Sequence, residues 1–99
     1  MAEVTLHRAA QREFREAVRW IRDDRGGRAA SRFVARIQRM FLLIGEKPER
    51  HATLEDDLRE AIAVRYPYSL IYRTLPAGDV QVIAVAHASR EPGYWRGRA

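Results

Sequence analysis

Apolar positions change their spacing along the chain, and each change marks an element. Val4 and Leu6 alternate about Thr5, which predicts a short strand over Ala2 to Leu6. From Arg8 the period lengthens: Ala10, Phe14, Ala17, Val18 and Ile21 fall on one face of a helix, beside a stripe of Arg8, Arg12, Arg15, Arg19 and Arg22. Gly26-Gly27 ends that helix, because glycine readily takes the left-handed conformation of helix ends. A second helix follows, with Ala30, Phe33, Val34, Ile37, Phe41 and Ile44 inward and Arg28, Arg32, Arg36 and Arg39 along another side. Gly45 and Pro48 stop it. Two amphipathic helices joined by a glycine pair read as an antiparallel helical hairpin.

Glu49 to Asp57 is polar and aperiodic and is expected to be a loop. The period then becomes two, with Leu58, Glu60, Ile62 and Val64 on one side and Arg59, Ala61, Ala63 and Arg65 on the other. Tyr66-Pro67 interrupts, and Tyr68 to Leu75 resumes as a strand rich in β-formers. Pro76 to Asp79 is a turn, and Val80 to Ala86 is a near-continuous apolar run suited to a strand covered on both faces. The order is β-α-α-β-β-β, an α+β fold with the helical hairpin packed on a mostly antiparallel sheet. Residues 1–99 are expected to form a single domain.

Composition narrows the classes. A hydrophobic fraction of 46% is too high for a disordered chain. No apolar run approaches the roughly 18 residues of a membrane span, and no signal peptide is visible, so the expected compartment is cytoplasmic. The absence of cysteine excludes a disulfide scaffold, a cysteine-based zinc site and a thiol nucleophile. Charge adds a positive clue: 18 basic against 13 acidic residues give +5, and Lys47 is the only lysine. An arginine-rich, basic chain suits nucleic acid or an acidic partner protein, while a codon habit accounts equally well for arginine over lysine.

Chemistry-bearing side chains gather past the last strand, in His87 to Trp95. His87 and Arg90 read either as a base and a phosphate clamp or as structural groups, with Arg90 bracing the tail or stacking on Trp95. His7 and His51 have no ligand spacing, and the acidic run Glu55-Asp56-Asp57 is not spaced like a calcium loop and is expected to be solvated. No metal and no cofactor are expected. Trp20 sits at the margin of the first helix's apolar face, as a core residue or as an aromatic turned to a partner.

Phe14 to Ile21 on the first helix, Arg65-Tyr66-Pro67-Tyr68-Ser69-Leu70-Ile71-Tyr72 across two strands, and Ala84 to Trp95 with its HxxRxPxYW ending together resemble the RelE/ParE superfamily of type II toxins, in its ParE-like branch. The resemblance covers nearly the whole chain. It implies a small bacterial toxin held inactive by a cognate antitoxin, ParD-like or other, in a toxin–antitoxin hetero-oligomer. It further implies inhibition of DNA gyrase by binding, with no catalytic residue. The alternatives are a RelE-like ribosome-dependent mRNA endoribonuclease and a non-toxic relic that only binds antitoxin.

The resemblance also assigns sites. RelE-like nucleases look to place lysines on the strand from Leu58 to Arg65 and arginines on the following strand and past the last one. Here those positions hold Glu60, Ile62, Ser69 and Ala88, and Tyr94 alone keeps its counterpart; a shift of one residue would restore Arg59, Arg65 or Arg90. Expected target-binding residues are His87, Arg90, Tyr94, Trp95, Arg65 and Tyr72. Expected antitoxin-binding residues are Trp20, Met40, Leu43, Arg19 and Arg36, in a groove on the hairpin continued along a sheet edge.

Overall fold

A computed structural model describes residues 1–98. Strand β1 (Val4–Leu6) leads into helix α1 (Arg8–Arg25), helix α2 (Gly27–Glu46), a single 3₁₀ turn at Pro48–Arg50, and strands β2 (Thr53–Glu55), β3 (Leu58–Ala63), β4 (Tyr68–Thr74) and β5 (Val80–His87). The sheet runs β1-β5-β4-β3-β2; β1 is parallel to β5, and the other pairs are antiparallel. This is the expected α+β arrangement with one strand more. Strand β2 lies inside the stretch read as a loop, because three residues at a sheet edge carry no periodic signal.

Gly26 alone joins the helices, at φ +93°, a conformation that a side chain would strain. The hairpin closes through Phe14 of α1, whose ring meets Phe33 and Phe41 of α2 edge-on. Gly45 does not stop α2, which runs to Glu46. A Cβ there would lie 2.8 Å from the Ala2 carbonyl oxygen, so glycine lets the N-terminal segment cross the helix.

The hairpin covers one face of the sheet. Ile21, Phe33, Ile37 and Ile44 pack there on Ala61, Ala63, Leu70, Tyr72, Val80, Val82 and Val85. In β5, Ala84 pairs with Ile71 and Val82 with Tyr72, so Ile83 is an extra residue and the strand bulges. The bulge resets the alternation. Val82 and Val85 both serve the helix face, while Ile83 and Ala84 serve the other, where they join Leu58, Ile71 and Trp95 in a second, smaller cluster. Burial on both sides explains the unbroken apolar run of this strand.

Candidate functional site

Strand β1 stops at Leu6, opposite Val82, so the outer edge of β5 has no strand partner from Ile83 onward. Unpaired buried backbone groups are costly, and side chains here take the place of the missing ladder. Glu13, among the described residues the one charged side chain buried in the core, at 8% exposure, projects from α1 and accepts the Val85 N–H at 3.0 Å. Arg98, arriving from the tail, donates to the Ile83 carbonyl at 2.8 Å. The two side chains close on each other: Arg98 Nη1 and Nη2 meet Glu13 Oε1 and Oε2 at 2.8 and 2.9 Å. The Tyr94 hydroxyl donates to Glu13 Oε2 at 2.8 Å, and Arg73 holds the Arg98 carbonyl at 3.0 Å.

Electrostatics follow from that geometry. Burial pushes the Glu13 carboxyl up, but the Arg98, Tyr94 and Val85 donors outweigh it and hold the group below its ordinary value. The Tyr94 hydroxyl is pushed far above its ordinary value by burial and by its bond to the Glu13 carboxylate. It is a fixed donor, unsuited to exchanging protons near neutral pH.

The tail thereby lies across the sheet face opposite the helices. Trp95, 5% exposed, fills the second cluster, and Arg96 forks onto Glu55 with Nε and Nη2 at 2.9 and 2.7 Å. Between tail and strands is a cleft of about 310 Å³, lined among others by Leu54, Glu60, Ser69, His87, Arg90 and Tyr94. Arg90 is exposed, stacked 3.8 Å above the Tyr94 ring centroid. On the same face Ile62 is 65% exposed.

The expected site residues divide on this structure. His87, Arg90, Tyr94 and Trp95 do converge on the cleft. Trp95 is a core residue, not an open contact, because the second cluster needs its ring. Tyr72 is fully buried, with its hydroxyl on the Pro48 carbonyl, and is withdrawn from target binding. Arg65 lies elsewhere, in a cleft with Arg36, Val64 and Tyr66. Arg90 stacks on Tyr94 and not on Trp95.

The hairpin residues divide likewise. Met40 is buried in the main core and leaves the fringe. Trp20, 42% exposed, packs edge-on against His87 and Tyr68 at centroid distances of 5.2 and 6.3 Å, so it adjoins the tail. Leu43 is half-buried, and Arg19 is exposed. Trp20 and Leu43 stand about 9 and 25 Å from the hinge along their helices, about 16 Å apart along the hairpin. Of the acidic run, Glu55 is engaged by Arg96, while Asp56 and Asp57 are exposed. Among the described residues no group of acidic or histidine side chains is placed to hold a metal ion.

Glu13 and Arg98 were missed in the sequence. Glu13 did carry a signal: it occupies the position three after Ala10 and four before Ala17, inside the apolar stripe, where an unpaired acid is not expected. Arg98 had none.

A helical hairpin thus covers one sheet face and an aromatic, arginine-bearing tail the other. The chain belongs to the ParE family, described as "ParE toxin of type II toxin-antitoxin system, parDE", which it matches over residues 4–92. The matched region ends ahead of Tyr94, Trp95 and Arg98. Among solved structures the chain is similar to one described as "Chromosomal ParDE TA system from P. aeruginosa", with a TM-score of 0.75 and 16% identity over 88% of this chain and 96% of that one. At that identity the likeness is one of fold. No curated protein matches the chain.

Proposed function

We propose that this toxin acts in the cytoplasm by binding DNA gyrase through its tail face, without bond-breaking chemistry, and that a cognate ParD-like antitoxin neutralises it. The observation that carries this reading is the make-up of that face. An RNA-cleaving site needs placed cations and proton-exchanging groups around the phosphate. In the cleft Arg96 is committed to Glu55, Tyr94 to Glu13, and Arg90 is the one cation free of a carboxylate among the described residues. Of the arginines that a shifted alignment would supply, Arg59 is bound to the Glu49 and His51 carbonyls and Arg65 lies in another cleft. Beside this depleted set stand exposed Ile62 and Leu54, the apolar character of a protein-binding surface.

Antitoxin binding at Trp20 draws support from its exposure beside His87. A segment docked there reaches the Arg90 edge of the tail face, since Trp20, His87 and Arg90 line one groove of about 170 Å³. Neutralisation is then occlusion.

The test is induction in bacteria with DNA and mRNA followed together. Gyrase-dependent double-strand breaks with intact mRNA are expected. Cleaved mRNA with intact DNA would establish the nuclease instead, and unaffected growth the relic.

A further inference from the structure

Helix α2 carries Arg28, Arg32, Arg36 and Arg39 and no acidic residue before Glu46. At 100° per residue the four fall within an arc of about 80°, and at 1.5 Å per residue they span about 17 Å. All four are exposed, and among the described residues none is in an ion pair; Arg12, Arg22 and Arg25 of α1, by contrast, lie near carboxylates. The row widens at Arg36, which shares a cleft of about 380 Å³ with Arg65, Val64 and Tyr66. Arg65 reaches that cleft from φ +76°, a left-handed conformation that a non-glycine residue adopts only when its surroundings hold it there.

We propose that this face of α2, extended by Arg65, binds the phosphate backbone of duplex DNA. Charge complementarity is one argument, and the lack of apolar anchors along the helical row is the other, Val64 and Tyr66 bordering only its widened end. A protein partner needs aromatic or aliphatic groups at the centre of its contact. Between Arg28 and Arg39 the exposed residues other than arginine are Ser31, Ala35 and Gln38, and the first exposed large apolar side chain is Leu42, beyond the row. Backbone binding needs no such anchor, because counterion release supplies its free energy. A straight, rigid row suits a stiff duplex, whose phosphates are already ordered, better than a single strand that binding would have to order. Arginine forks phosphate oxygens with two N–H groups, so the absence of lysine from the row fits the same partner.

This inference does not rest on the gyrase reading, and its test contains neither gyrase nor antitoxin. Binding of the purified chain to a labelled random-sequence duplex is measured by fluorescence anisotropy over a salt series. Five phosphate contacts, four from the row and one from Arg65, give a slope of log K against log salt of about −4.5, a fall of about five-hundredfold between 50 and 200 mM. Arg32→Gln/Arg36→Gln/Arg39→Gln keeps good helix formers and brings the slope to about −1.8. Arg12→Gln/Arg22→Gln on α1 changes it by less than one contact's worth. Should the triple variant fail to show the wild-type circular dichroism spectrum, Arg36→Glu alone still decides, with a slope reduced by more than about 0.9 expected. An unchanged slope in these variants, an equal loss in the α1 variant, or tighter binding of polyglutamate or of duplex RNA than of DNA would overturn the proposal.

Discussion

On the helix side of the sheet, two long helices bury a continuous apolar core, and the charged side chain of Glu13 intrudes at its margin. On the tail side, eleven residues past β5 cover a small cluster around Trp95, and polar bonds do the fastening: Arg98 on Glu13, Tyr94 on Glu13, Arg96 on Glu55. The first face follows from the hydrophobic effect, which is proportional to area and indifferent to direction. The second depends on a few directional contacts made by an irregular segment, and it leaves Ile62 and the Arg90 cleft open. Folding thus lives on one face and the proposed target recognition on the other, with Glu13 bridging them.

The comparison breaks most visibly on the helix side. Phe33 is fully buried and touches Phe14, Tyr66 and Tyr68, so Phe33→Ala is expected to lower stability by about 3–5 kcal/mol in denaturant titration. The same truncation on the tail side is milder. A tail that can reseat limits the cavity, and Trp95→Ala is expected to lose about 2–3 kcal/mol, with toxicity falling in parallel with the melting temperature.

Glu13→Gln comes next. Removing one partner of a buried ion pair usually costs about 3–5 kcal/mol because the other charge stays buried, but Arg98 lies on a segment outside the helices and strands and can swing into water, so about 2 kcal/mol is expected. The pH dependence has a definite sign. The folded carboxyl lies below its ordinary value of 4.5, so its contribution is complete above that pH and is lost as the pH falls through the lower folded value. Wild type should therefore lose stability below pH 4.5 more steeply than Glu13→Gln. Parallel acid limbs in the two proteins would count against the network. Smallest is Arg90→Ala. The side chain is exposed, so the expected stability change is within about 0.5 kcal/mol while growth arrest weakens.

What the sequence revealed follows the same division. Helical and strand periods expose the helix-side core because burial there is repetitive: Ala17, Ile21, Phe33, Ile37 and Ile44 were all readable as one face or the other of the hairpin. The tail cluster is legible only as a concentration of Tyr, Trp and Arg, since irregular backbone has no period to read. Hence Trp95 passed for an open contact and Tyr72 for a surface tyrosine, although both are buried. The Glu13–Arg98 pair spans 85 positions and arises because β1 is too short to pair with the end of β5. That length mismatch exists only in three dimensions.

Native-state hydrogen exchange on the wild-type protein tests the separation of the two faces most directly. The amides of Tyr94 and Arg96, bonded to the Glu91 and Gly93 carbonyls, report on the tail, and those of Phe33 and Ile37 report on α2. The tail amides are expected to exchange through a local opening of lower free energy and weak denaturant dependence, and the α2 amides through global unfolding. Equal free energies and equal denaturant slopes for both sets would mean that tail and core unfold as one unit, and would contradict the account.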